Sequence, residues 1–181
     1  MIRTGTHGFT LIETLVAISI LLVAVVGPMT IAAQGLQNAF YAREQVTAYL
    51  LGQEAIEILR SIRDENAIAG ASWLAGVPET CAAYNFDGCG VDVRTFEFTD
   101  CGESSDACQI NYDSGALSAD RGFYTHEAGD GTAFTRRMWV DEVAGDQEAA
   151  VTVRVSWTSG IFAGERTVTL QTYLFNHYDN I

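Results

Sequence analysis

The sequence predicts an α+β protein: a long N-terminal helix, transmembrane in its first half and amphipathic in its second, packed on a C-terminal antiparallel β-sheet domain. Three observations carry that expectation. Residues 14–33 (TLVAISILLVAVVGPMTIAA) hold no charge, and at about 1.5 Å per residue such a run can cross a bilayer core of roughly 30 Å. From 34 to 63 helix-favouring residues dominate without a proline. From Ala71 the texture changes to short alternating stretches with Gly, Asp and Ser between them.

The elements follow in order. The piece from Met1 to Gly8 carries Arg3 and His7 and no acid, whereas every carboxylate lies beyond it. The positive-inside tendency therefore keeps this end cytoplasmic and exports the remainder. Glu13 stands at the mouth of the apolar run, where a carboxylate is expensive unless something pairs with it. Gly27-Pro28 interrupts the run, and the missing backbone donor predicts a helix kink or a locally melted turn. Beyond Ala33 the pattern is amphipathic: Leu36, Ala39, Ala42, Val46, Tyr49, Leu50, Ile56 and Leu59 recur at steps of three and four. The helix is expected to end between Asp64 and Gly70, with Trp73-Leu74 at its junction with the next domain.

In the remaining stretch, VDVRTFEF (91–98) alternates and reads as a strand. Three longer strands follow. One carries Phe134, Arg136, Met138 and Val140 on a single face. The second alternates Val151, Val153, Val155 and Trp157 with polar residues, and the third carries Val168, Leu170 and Leu174. Their short connections predict an antiparallel meander whose apolar face is covered by the amphipathic half of the helix.

Composition narrows the function classes. The chain has 181 residues, 23 Asp and Glu against 10 basic residues, a net charge of −13 and no lysine. Such a surface repels phosphates, so no direct nucleic-acid contact is expected. Cys81, Cys89, Cys101 and Cys108 all lie in the part expected outside the cytoplasm. Their even number and short spacings suit disulfides, most simply Cys81–Cys89 and Cys101–Cys108, although four cysteines allow three connectivities. No CxxC spacing is present and the histidines are far from the cysteines in sequence, so no metal site is expected there. Asp113, Asp120, Glu127 and Asp130 among glycines would suit Ca²⁺, but without an EF-hand pattern they read as turn formers. No GxSxG, HExxH or phosphate-binding glycine loop occurs. His126 reads as a solvated loop residue and Arg136-Arg137 as structural, so neither an enzyme nor a cofactor is expected.

The GFTLIE segment (Gly8 to Glu13), the apolar helix behind it and the β-domain together resemble a type IV pilin or pseudopilin precursor. The resemblance is strong over about the first 30 residues. It implies a leader (1–8), a transmembrane and assembly half of the helix (9–33), an amphipathic half (34–70) and a globular β-rich domain (71–181). It further implies cleavage between Gly8 and Phe9 by a prepilin peptidase that also N-methylates Phe9. Glu13 would then pair with the N-terminal ammonium of a neighbouring subunit during assembly. The position before Gly8, usually Lys or Arg in such leaders, is His7 here. The stretch from Tyr49 to Asn66 is similar to the first-helix signature of minor pilins and pseudopilins.

The expected partners are other pilin or pseudopilin subunits, the peptidase/methyltransferase, the inner-membrane assembly machinery and membrane lipid. The expected location is a single-pass inner-membrane protein with its C-terminal domain outside the cytoplasm, then a surface or periplasmic filament. Two alternatives stand beside a minor pilin: a pseudopilin of a type II secretion system, and a membrane-anchored binding domain that never polymerises. An ordinary signal peptide cut near Ala32 or Ala33 fits less well, because Glu13 interrupts its apolar region and the helix continues beyond.

Overall fold

The computed structural model describes residues 8–82, 84–102, 104, 106–115, 122–127, 129–158 and 164–177. The chain forms two compact units, Met1–Arg43 and Glu44–Ile181. A single helix, α1 (Leu11–Ala69), contributes residues to both.

In the first unit every described residue from Gly8 to Leu36 is exposed. The few hydroxyls turn back onto the helix's own carbonyls: Thr14 donates to Leu11, Ser19 to Leu15 and Thr30 to Val26, at 2.7–2.8 Å. The outer surface is thereby left apolar, as a helix surrounded by hydrocarbon requires. The helix is continuous through Gly27 and Pro28, and no turn is melted there. One missing donor removes a single bond from a ladder that the neighbouring turns keep intact.

In the second unit the helix buries Ala48, Leu51, Gly52, Ala55, Ile56, Ile58 and Leu59. This corrects the face expected from periodicity. Leu36, Ala39, Ala42, Val46, Tyr49 and Leu50 are exposed, and only Ile56 and Leu59 of that set lie in the core. Small side chains decide the difference. A Cβ on Gly52 would stand 2.7 Å from Leu170 Cδ1, so its absence lets the helix backbone close on the third long strand. The helix ends as its glycine dictates. Gly70 takes φ 66°, and the Ala71 N–H reaches the Asn66 carbonyl at 2.9 Å while the Gly70 N–H reaches Ala67 at 3.3 Å. Asn66 Nδ2 then donates to the carbonyls of Trp73 and Ala75, fixing the junction beside the buried Trp73 indole.

Among the described residues a short 3₁₀ turn (Glu79–Cys81) precedes seven strands: β1 (Cys89–Val91), β2 (Phe98–Asp100), β3 (Gln109–Tyr112), β4 (Tyr124–Thr125), β5 (Asp130–Ala144), β6 (Glu148–Thr158) and β7 (Glu165–Phe175). They form one sheet centred on β5. Along one edge β5 pairs with β6, in the register Phe134↔Trp157, Met138↔Val153 and Val140↔Val151, and β6 pairs with β7, so β5–β7 form the expected antiparallel meander. The other edge of β5 is shared. Its first half pairs with β3, which carries β4, and Met138 pairs with Cys89 of β1, which carries β2. The meander's inner face, from Phe134, Met138 and the valines of β6 to Leu174, forms the core with the buried helix residues.

The strand expected over 91–98 is instead a tight connection between β1 and β2, whose ends Val91 and Phe98 pair with each other. Asp92 causes the reversal. Its carboxylate accepts the N–H of Arg94 at 2.8 Å and of Thr95 at 3.2 Å, and Phe96 takes φ 57°. A local carboxylate-to-backbone turn wins over alternation, which sees only polarity.

Candidate processing and assembly site

The residues from Gly8 to Thr10 precede the helix in extended or irregular backbone, and Phe9 is 80% exposed. Thr10 caps the helix. Its hydroxyl accepts the Glu13 N–H at 3.3 Å, and its carbonyl accepts the N–H of Thr14 at 3.2 Å. Thr10-Leu11-Ile12-Glu13 therefore follows the capping-box spacing, a signal legible in the sequence but missed there. It gives Glu13 a place within its own chain: an acid in the first turn faces the positive end of the helix dipole.

Behind this terminus lies a span of apolar side chains with nothing over them. Leu11, Ile12, Leu15, Val16, Ile18 and Ile20 are each more than half exposed, and the uncharged surface continues to Ile31. The helix is long and apolar enough to cross a membrane, and none of its most apolar window is buried. Exposed apolar area on this scale has two stable covers, lipid or other apolar helices.

The second unit holds a buried polar cluster of a different kind. Arg136, on the inner face of β5, is fully buried. Its Nη1 donates to Glu54 Oε2 at 2.6 Å and to the Leu51 carbonyl at 3.0 Å, and its Nη2 donates to the Val91 carbonyl at 2.6 Å. One guanidinium thus joins the helix, β1 and β5. Burial pulls it below its ordinary pKa, against the Glu54 carboxylate, which supports the charge. Asp92 is also buried. Burial pushes its carboxyl up, but bonds from the Thr125 hydroxyl and the N–H groups of Arg94, His126 and Thr95 outweigh this and hold it below its ordinary value.

His126 corrects the expectation of a solvated loop residue. Both ring nitrogens are buried and neither meets strict hydrogen-bond geometry among the described residues, although the Gln109 backbone lies close enough to favour the charged ring. Gly90 makes room for the ring: a Cβ there would lie 2.9 Å from His126 Cε1 and 3.1 Å from Cys108 Sγ. Burial, and then the Arg136 charge, lower the imidazole pKa to about 4 although Asp92 and the Gln109 backbone oppose them, so the ring is neutral near pH 7. This cluster was invisible in sequence because its members come from four separate segments.

The cysteines stand as two pairs at disulfide distance, Cys81–Cys89 and Cys101–Cys108. Both pairs are buried at the β1–β2 edge of the sheet. Of the acidic loop residues, Asp113 and Glu127 face Arg94 at 3.4 and 3.8 Å, and Asp130 accepts the Ser114 hydroxyl. Asp120 lies outside the described residues. Among the described residues no three His, Cys, Asp or Glu side chains converge as metal ligands.

Residues 3–27 match the family model of the prokaryotic N-terminal methylation motif, which is consistent with a type IV pilin-like precursor. No curated protein and no solved structure matches the chain. The motif supports a pilin or pseudopilin-like precursor and points to a structural role. It implies processing by a prepilin peptidase and assembly with other pilins. Motif and apolar helix together fit membrane anchoring before assembly.

Proposed function

We propose that the chain is a minor subunit of a type IV pilus or related filament, assembled by helix packing after its leader is removed between Gly8 and Phe9. The carrying observation is a single carboxylate, Glu13, in the first turn of an exposed apolar helix and inside the matched methylation motif. In lipid the helix is solvated by hydrocarbon. In a filament the same surface packs against neighbouring helices, and the ammonium of a methylated Phe9 lies within reach of a neighbour's Glu13. The pair neutralises two charges that would each be costly alone, which sets the axial register between subunits. Gly27-Pro28 supplies the point at which the helix bends during packing. The two cysteine pairs brace a domain that functions outside the cytoplasm.

The test combines processing with incorporation. Mass spectrometry of the mature chain should find methylated Phe9 as its first residue. Sheared surface filaments should contain the chain, and Glu13→Ala should insert normally while its incorporation falls by about tenfold or more. Retention of residues 1–8 in cells that possess the peptidase, or normal incorporation of Glu13→Ala, would refute the proposal. Absence from surface filaments, with recovery in a periplasmic secretion complex, would assign the chain to the pseudopilins. Absence from both would leave a membrane-anchored binding domain.

A further inference from the structure

The described residues of a loop on the second unit, 84–89, present features that neither the methylation motif nor the apolar helix explains. The Cys81–Cys89 pair closes it, Asn85 Nδ2 donates to the Thr80 carbonyl at 2.8 Å, and the Trp139 indole N–H donates to the Asn85 carbonyl at 2.7 Å. Arg137 of β5 holds Asp87 at 3.5 Å. Gly88 leaves the loop at φ 67° directly under Trp139, where a Cβ would meet the indole at 2.7 Å. A loop restrained at so many points could tuck its aromatic side chains away. Instead Tyr84 is 74% and Phe86 95% exposed.

These two rings stand over concave surface. A cleft of about 350 Å³ beside Tyr84 is floored by Leu74, Val77, Pro78 and Val140, and its rim carries Glu79, Asp141 and Glu142. A second cleft of about 430 Å³ shares Tyr84 and Glu79 and extends to Phe86. No described arginine pairs with any of the three rim carboxylates. Exposed aromatic side chains beside an apolar floor and a polar rim are the anatomy of a protein-docking surface.

We infer that this groove docks a cationic segment of a partner protein, its arginine or lysine side chains meeting Glu79, Asp141 and Glu142 and an apolar side chain entering beside Tyr84. Charge complementarity selects that occupant. A second copy of this chain brings a net charge of −13 and no lysine, and an anionic membrane surface would be repelled by the same rim. The inference does not depend on filament assembly, because the groove lies wholly within the second unit.

The experiment is selection of a random twelve-residue peptide library on the full chain in detergent micelles, followed by anisotropy titration of the enriched peptides. Enrichment of Arg or Lys beside an aromatic or aliphatic residue is expected. Binding should weaken at least about tenfold in Tyr84→Ala/Phe86→Ala and in Glu79→Gln/Asp141→Asn/Glu142→Gln. Glu65→Gln/Glu97→Gln/Glu165→Gln, which removes equal charge from exposed positions elsewhere, should change it less than about twofold. Enrichment of neutral or acidic peptides would overturn the inference, as would equal loss in the control variant. A dimer in sedimentation that dissociates in Tyr84→Ala/Phe86→Ala would assign the groove to a second copy and overturn it too.

Discussion

Acid should unlock this domain through His126 before it touches the buried carboxylate. With the imidazole pKa near 4 in the fold and 6.5 as its ordinary value, the unfolded chain takes up a proton between those limits that the folded chain refuses. Stability is therefore full above about pH 6.5, falls as the pH drops toward 4, and then levels off for this residue. The interval corresponds to about 3 kcal/mol, a large share of the stability of a domain this size. Asp92 acts in the same direction but in a lower window: held below its ordinary 3.8, it stabilises the fold above that value and loses its contribution as the pH falls further. The assay is urea unfolding of a fragment beginning at Glu44, wild type against His126→Phe, from pH 7.5 to pH 4. Surface carboxylates titrate in both proteins and cancel in the difference. The difference in unfolding free energy should change by about 3 kcal/mol across the range and stay flat above pH 7. Parallel pH profiles for the two proteins would refute the burial argument.

Two further perturbations probe the packing. Arg136→Met should destabilise the domain by about 3 kcal/mol or somewhat more, because Glu54 and the carbonyls of Leu51 and Val91 lose their donor. Adding Glu54→Gln should recover part of that loss, and a double-mutant cycle in denaturant measures how much. At Gly52, leucine should cost about 1–3 kcal/mol by driving into Leu170, whereas alanine should stay within about 1 kcal/mol, since the tip of Leu170 can move and alanine favours the helix. Thermal melts of both variants test this, and equal effects would show that the helix does not approach β7 so closely.

Information confined to short stretches of chain was legible directly. The uncharged run after Glu13 announces the exposed helix, Gly70 marks its end, and strict alternation in β6 gives both the strand and its buried face. The methylation motif is likewise contiguous, and so is the Thr10–Glu13 cap, although its meaning emerged only when the helix start was seen. Alternation misled at 91–98, where the carboxylate of Asp92 binds backbone two and three residues ahead and folds the segment back on itself.

What the tertiary structure alone decided depends on residues far apart in the chain. Periodicity pointed to one apolar set on the helix, of which only Ile56 and Leu59 are buried, and the face that is buried is the one whose small residues admit β7. Arg136 reaches Leu51 across 85 positions and Trp157 reaches Glu44 across 113, so no window of sequence contains either bond. His126 lies in a turn-rich segment that reads as solvent-exposed, yet the gap left by Gly90 draws its ring beside Arg136 and Cys108. Local patterns specify which backbone forms where. Burial, and with it the charge state of a histidine or the company of an arginine, is set only when separate segments compete for the same interior volume.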